Sequence, residues 1–379
     1  MALKNALRRS HAATPYKVEA WRDFLSRAGL LPRYPSLVDG LSNGFRAFMP
    51  PLPQTFAPPN HLSISQYKMV FDDIIHKEFM KQRYIGPLTA AEIQQEMGHF
   101  QASPLSLIPK PGRPGKYRMI QDLSHPRGSS PIQSINAHMS PDEFTASYST
   151  FPIVALLLTS LPPGSQGAVR DVAEAYRTIP IHPSQWHGLV VRLSDSHFAV
   201  DTALCFGFAP SAGIYGDVAS AGADIMRFVG LGPILRWVDD HLFIRIPRAH
   251  LSRYNEARRN MATRIASQGG PTVHGGRFWF KGGTLPDGSL EEFDEDCTFP
   301  LRDFAATRSE NNHDAGHAFT YDLADVDSIS NTLGIPWEPS KGVPFSTSPT
   351  FIGFTWDLER LTVSLAESKR LKYLGALQD

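Results

Sequence analysis

The segment 234-ILRWVDDHLFIRI-246 sets two aspartates, Asp239 and Asp240, side by side between two runs of β-favouring apolar residues. Apolar runs joined by a short polar break read as a β-hairpin. Neighbouring carboxylates repel, and burying either of them unpaired is costly. An exposed turn is the plain explanation, because Asp is a common turn former. A bound cation is the other, and it gains weight if a third carboxylate reaches the same place.

Upstream, 167-GAVRDVAEAYRTIPI-181 contains a strand that ends near Asp171. The stretches 188-GLVVRL-193 and 197-HFAVDTALCF-206 read as a further strand pair. From Pro210 to Val229 the chain is rich in Ala and Gly, with Ile214, Val218 and Ile225 at helical spacing, and 250-HLSRYNEARRNMATRIASQ-268 predicts a helix after the hairpin. Earlier, 103-SPLSLIPKPGRPGKYRMIQDLS-124 places two β-like runs around a Pro/Gly-rich turn, which predicts a hairpin with a basic tip. Tyr67, Val70, Phe71, Ile74, Ile75 and Phe79 share one helical face with Ser63 or Ser65 as cap, and 89-TAAEIQQEM-97 predicts a short helix capped by Thr89. Residues 31–60 are proline-rich and read as an extended wrap, whereas 153-IVALLLTSL-161 reads as a buried helix. Residues 270–320 carry GG, DG and NN pairs and an acidic run, and predict loops with a small hairpin. The stretch 346-STSPTFIGFTWDLERLTVSL-365 predicts a last strand pair running into a helix. Helices alternating with adjacent strand pairs argue for an α+β fold with a mainly antiparallel sheet.

Composition narrows the class of protein without deciding it. The 379 residues are 42% hydrophobic and 20% charged, an ordinary globular balance long enough for two or three packed subdomains. Lys plus Arg and Asp plus Glu are both 37, so net charge points to no partner. Locally, residues 1–60 hold eight basic against three acidic side chains and 101–130 hold five against one, a bias that suits a polyanion. Residues 271–320 reverse it, with four basic and nine acidic. Two cysteines, Cys205 and Cys297, exclude a disulfide framework and fit an intracellular setting, cytoplasmic or nuclear. The first residues lack the apolar core of a secretory signal, and no apolar run approaches the roughly 18 residues of a membrane span.

If the strand ending at Asp171 neighbours the 234–246 hairpin, three carboxylates gather at one edge of the sheet. Such a set suits hard divalent cations, Mg²⁺ above all, which takes a few carboxylates together with phosphate oxygens. Two such ions roughly 3.5–4 Å apart can activate a hydroxyl and stabilise a departing pyrophosphate.

With these residues in place the chain resembles a reverse transcriptase of the retrotransposon type. The stretch 169-VRDVAEAYRTIPIHP-183 is similar to the family's motif A, 205-CFGFAPSAGIYG-216 to motif B, and 237-WVDD-240 to motif C. The stretch 108-IPKPGRPGKYRMIQDLS-124 resembles the fingers motif and 351-FIGFTWD-357 the late primer-gripping hairpin. The wording of KYRMIQDLS and IPIHPSQW is nearer to retrotransposon enzymes, the DIRS-like group among them, than to retroviral ones. Two departures stand out: Pro210 and Ala212 where relatives carry a small polar residue and a proline, and Trp237 where a Tyr usually precedes the VDD.

The resemblance implies the fingers–palm core of a right-hand polymerase, with a mainly antiparallel palm sheet flanked by helices. Residues 1–62 form a Pro-rich wrap in that reading, 63–165 a fingers-like region, and 166–379 a palm. The palm carries an acidic insertion at about 270–320 and a primer-grip-like hairpin at 349–365; thumb and RNase H regions are absent. It also implies roles. Asp171, Asp239 and Asp240 are the catalytic carboxylates and, with the carbonyl of Val172, the metal ligands for two Mg²⁺, with Mn²⁺ able to substitute. Lys110 and Arg118 contact the triphosphate, while Arg113 and Lys116 face solvent or template. Tyr176 acts as a steric gate against a 2′-hydroxyl, which favours dNTPs. Phe206 and Gly207 lie against the incoming nucleotide, and Trp237 and Gly353 near the primer. The partners are an RNA or DNA template with its primer, and no membrane; a recombinase or integrase domain, like the thumb and RNase H, is expected to be missing.

Other readings compete. A catalytically inactive or domesticated copy would keep the fold and bind nucleic acid. An RNA-templated RNA polymerase and a metal-dependent nuclease are further alternatives, the last leaving the fingers and FIGF motifs without a role. His313 and His317 have the spacing of half a zinc site, but with His274 and Cys297 they read as ordinary loop residues.

Overall fold

The computed structural model describes residues 3–4, 13–110, 114–128, 130–140, 143–144, 146, 148–267, 272–274, 277–284, 290–293, 299–307 and 318–376. Among these the strands, in chain order, are β1 (Tyr84–Leu88), β2 (Leu105–Pro109), β3 (Tyr117–Gln121), β4 (Gln166–Asp171), β5 (Val190–Arg192), β6 (Phe198–Asp201), β7 (Ile234–Trp237) and β8 (Asp240–Arg245). They continue with β9 (Thr272–His274), β10 (Arg277–Thr284), β11 (Leu290–Phe293), β12 (Val343–Ser346), β13 (Thr350–Phe351), β14 (Phe354–Asp357) and β15 (Thr362–Leu365). All pairings between these strands are antiparallel, and helices alternate with them, so the fold is α+β. No helix among the described residues is long and apolar enough to cross a membrane.

The chain divides into two compact units. One comprises Met1–Val18, Pro32–Thr145 and Glu174–Tyr215; the other comprises Glu19–Leu31, Ala146–Ala173 and Gly216–Asp379.

In the first unit, the helix Lys68–Met80 buries Phe71 and Ile75 against Tyr84, Leu105, Leu107, Val191 and Ala199, with Tyr67, Val70, Ile74 and Phe79 around them. That is the apolar stripe expected from 3.6-residue periodicity. The expected serine caps are not used. Ser63 Oγ instead accepts from the Leu107 amide at 2.9 Å, because a separate short helix, Leu62–Gln66, occupies that stretch. Thr89 does cap the helix Ala90–Met97, in a reciprocal box with Glu92. β2 and β3 form the expected hairpin, and β1, β6 and β5 form a small sheet in that order. The proline-rich segment has no helix or strand over 44–61, and a helix, Leu37–Asn43, occupies part of the expected extended wrap.

The second unit is built on a four-stranded sheet, β12-β4-β8-β7. Side chains alternate across a strand, so each face has its own core. Val169, Leu235, Leu242 and Ile244 pack with Ile153, Val154, Leu157 and Leu158 of the helix Phe151–Thr159, and with Phe351 and Trp356 of the β13-β14-β15 sheet. Ile234 and Phe243 pack on the other side with Ala223 and Met226 of the helix Ser211–Val229 and Val326 of the helix Leu323–Leu333. Trp21 donates from its indole to the Leu333 carbonyl at 2.8 Å and lies beside Gly222, where a Cβ would meet its ring at 3.3 Å.

The region expected to be loops with one hairpin contains a three-stranded antiparallel sheet, β11-β10-β9. His274 falls in β9. Arg113, Cys297, His313 and His317 lie outside the described residues.

Candidate active site

The sheet register brings the carboxylates together. β4 and β8 pair so that Asp171 stands directly opposite Asp240, and β7 returns with Trp237 opposite Asp240. Directly paired residues share a face, with Cβ atoms about 4.5–5.5 Å apart. Asp239 occupies the connection with Val238, and its carbonyl accepts from the Val172 amide at 3.0 Å, which locks the turn to the end of β4. One carboxylate oxygen from each of Asp171, Asp239 and Asp240 lies within 4.8 Å of the others. Asp171 is buried and the two neighbours half-buried.

The electrostatics match that crowding. Burial, reinforced by Asp239 and Asp171, pushes the Asp240 carboxyl up to about 7. The cluster is partly neutralised by Lys341, whose Nζ donates to both Asp171 oxygens at 2.8 Å. Burial lowers the Lys341 ammonium, but the hydrogen bond to Asp171 and the three carboxylates outweigh this and raise it. An all-oxygen donor set of three close carboxylates fits a hard divalent cation and does not fit a thiophilic metal.

The remaining expected site residues in this unit are held as follows. Val172 follows Asp171, bridges to Trp337 and is buried. Trp237 is 38% exposed and its ring lies 5.2 Å from Tyr148. Gly353 has φ +82° and follows Ile352 at φ +47°, in the two-residue turn between β13 and β14. Two consecutive positive φ values are the signature of a hairpin turn that favours glycine, so Gly353 has a structural reason of its own.

In the first unit, Lys110 and Arg118 are exposed on the β2–β3 hairpin, and the Lys110 amide donates to the Lys116 carbonyl at 2.8 Å. The Arg118 guanidinium lies 5.1 Å from the centre of the Phe206 ring, a cation–π distance. Phe206, 43% exposed, also meets Tyr176 at 5.1 Å, and Tyr176 meets Tyr215 at 5.7 Å. Arg118, Phe206, Tyr176 and Tyr215 thus form a continuous aromatic–cationic row. Gly207 has φ +100°, and a Cβ there would sit 2.2 Å from the Gln121 carbonyl oxygen. The loop lies that close to β3 only because the residue is glycine. Asn136 clamps it from the side, donating to the Gly207 carbonyl at 2.8 Å and accepting from the Ala209 amide at 2.9 Å.

Three supports had no sequence signal. Lys341 lies 170 residues from its partner Asp171. Arg177, next to Tyr176, is half-buried and pairs with Asp201 at 2.8 Å and Glu78 at 2.6 Å. Arg236, one residue before Trp237, is buried with a hydrogen bond to Ser220 Oγ at 2.8 Å, and its amide donates to Ser149 Oγ at 3.0 Å. Only the family motif points at these neighbourhoods, and it does not name the partners. Cys205 is buried, and burial raises its thiol well above the ordinary range, so it is a packing residue rather than a nucleophile.

No model of a known protein family matches the chain, and no curated protein does. Among solved structures it is similar to the foamy viral protease-reverse transcriptase in complex with RNA/DNA hybrid, at 13% identity and a TM-score of 0.50, over 93% of this chain and 37% of that one. A second similar structure is the foamy viral protease-reverse transcriptase dRH in complex with ds DNA, at 14% identity and a TM-score of 0.48, over 98% of this chain and 47% of that one. The chain therefore spans less than half the length of these relatives. At such identity the first likeness shows the fold alone, a reverse-transcriptase-like fold.

Proposed function

We propose that the protein is an RNA-directed DNA polymerase of a retroelement, which extends a primer by metal-assisted nucleotidyl transfer. The observation that carries this reading is the meeting of Asp171, Asp239 and Asp240 at one end of an antiparallel sheet, in a chain with a reverse-transcriptase-like fold. In this reading the four-stranded sheet is the palm, residues 63–165 are fingers-like, residues 1–62 form a wrap, and 349–365 the primer grip.

Asp171, Asp239 and the Val172 carbonyl would hold Mg²⁺, or Mn²⁺ in its place, with Asp240 adjoining. Ions held there would supply Lewis-acid chemistry, lowering the pKa of a primer 3′-hydroxyl and offsetting charge on the leaving pyrophosphate. Lys110 and Arg118 supply cations for the triphosphate, a role that an exposed hairpin with two basic side chains can fill. The Tyr176 ring, braced by Phe206 and Tyr215, presents a rigid edge to the sugar and excludes a 2′-hydroxyl. Trp237 and its neighbour Tyr148 form an apolar platform for the primer end. The nuclease reading leaves this aromatic–cationic row without a task.

Primer extension on poly(rA)/oligo(dT) with dTTP and Mg²⁺ or Mn²⁺ tests the proposal, beside an Asp239→Asn, Asp240→Asn control. Extension that the control abolishes supports it. Binding of primer–template with no extension in either metal moves the assignment to an inactive, nucleic-acid-binding copy.

A further inference from the structure

Lys341 reaches the carboxylates through a local irregularity in the strand ladder. Trp337 bridges Val172, and Val343 pairs with Val169, so residues 337–343 face only residues 169–172. Seven residues opposite four leave three in excess, and the surplus is gathered into a turn closed by the Lys341 amide on the Glu338 carbonyl at 3.2 Å. Bulges of this kind re-aim a side chain. Here the turn is fixed at its start by the Glu338 amide on the Asp171 carbonyl at 2.8 Å. At its end Gly342 packs so near Arg170 that a Cβ would fall 2.8 Å from the guanidinium. Arg170 is in turn tied to Asp327 at 3.1 Å. The result is an ammonium centred on both oxygens of Asp171, whose side chain is only 5% exposed, while the Lys341 side chain remains 46% exposed.

We propose that Lys341 is a tethered cation that stands in for the divalent ion at Asp171 and is released when the ion binds. The proposal rests on the metal-binding reading of Asp171, Asp239 and Asp240. Three carboxylates this close repel one another, and a single ammonium relieves part of that repulsion without any ion in place. A divalent cation on the same carboxylate would bring twice the charge and exchange part of its water for carboxylate oxygens. An ammonium spanning both Asp171 oxygens opposes it twice over, by taking acceptor directions and by like charge. Lys341 has an exposed stem and can swing into solvent, so its release needs no change in the sheet. The ion therefore binds against a competitor built into the chain, and the two are linked: whatever strengthens one weakens the other.

Two measurements on the full chain test this. The first is Mn²⁺ affinity by titration calorimetry for the unaltered protein, Lys341→Gln and Asp239→Asn. The second is the acetylation rate of Lys341, followed by mass spectrometry with and without Mn²⁺. The expected result is that Lys341→Gln binds Mn²⁺ about tenfold more tightly, within the usual range for coupling between ligands of one site. Acetylation of Lys341 should also accelerate when Mn²⁺ is added to the unaltered protein but not to Asp239→Asn. Unchanged or weaker affinity in Lys341→Gln, with the unaltered protein still binding Mn²⁺ through Asp239, overturns the competition and leaves the metal site standing. Tighter binding without faster acetylation overturns the release. Failure of the unaltered protein to bind Mn²⁺ at all overturns the metal site and this inference together.

Discussion

At the scale of single residues, Asp240 concentrates the chemistry. Its carboxyl is pushed up to about 7 by burial and by its two neighbours. A carboxyl raised in the folded state contributes stability that is fully present below its unfolded pKa, near 4, and is lost as pH rises through the folded value. In the presence of a chelator the melting temperature should fall between about pH 4 and pH 7, and Asp240→Asn should flatten that fall. Added Mn²⁺ should reverse the slope, because it binds the deprotonated carboxylates. Thermal melts across that range, with chelator and with metal, check all three outcomes. Tyr176 carries the second residue-scale prediction. Truncation to Ala removes the edge braced by Phe206 and Tyr215, so the preference for dNTP over NTP should drop by at least about tenfold, the factor that 1.4 kcal/mol confers. Competing single-nucleotide incorporations would read it, and an unchanged preference would rule out the gate.

Among the structural elements, the loop carrying Phe206 and Gly207 is fitted to β3 without slack. Gly207→Ala meets both a positive φ and a carbonyl oxygen 2.2 Å away. The backbone strain alone is of order 1–3 kcal/mol, and denaturant unfolding should register at least that loss. The same scale shows what the sequence could and could not reveal. β2–β3, β5–β6 and β7–β8 were legible because each pair is joined locally and each run has its own apolar pattern. Three features were not. β12 is a weakly apolar VPFS whose partner β4 lies far back in the chain, so no local signal could pair them. The helix Leu323–Leu333 starts at an Asp322–Asp325 capping box that lies just past the irregular, acidic 270–320 stretch. The strands β9–β11 are broken by GG and DG pairs that read as turns. Motif spacing singled out the three aspartates and Tyr176 in the sequence, whereas the partners of Lys341, Arg177 and Asn136 are brought near only by the folded chain.

For the molecule as a whole, balanced charge sets the terms of binding. With 37 basic and 37 acidic residues there is no global attraction for a polyanion, so any grip on a duplex depends on local basic clusters such as the β2–β3 hairpin. Primer–template affinity should fall steeply with salt, and Lys110→Ala with Arg118→Ala should reduce the slope of log K against log salt by about 1–2 if both cations meet phosphates. Filter binding at several salt concentrations measures it. The framework beneath the aspartates is apolar on both faces of one sheet, and Leu242 lies fully buried in it. Leu242→Ala should cost about 2–5 kcal/mol, seen in chemical denaturation, and should weaken metal binding only as far as the fold loosens.

Val238, the residue just ahead of the paired aspartates, has φ +50°, a left-handed conformation that a β-branched side chain adopts only under constraint. The hairpin acts as a bent spring, and β7–β8 pairing together with the Val172–Asp239 hydrogen bond keeps it loaded. The turn thereby sets Asp239 beside Asp240 although like charges there repel. Relaxing the spring with Val238→Gly should remove the strain at the turn and let the two carboxylates drift, so that metal is held more loosely than before.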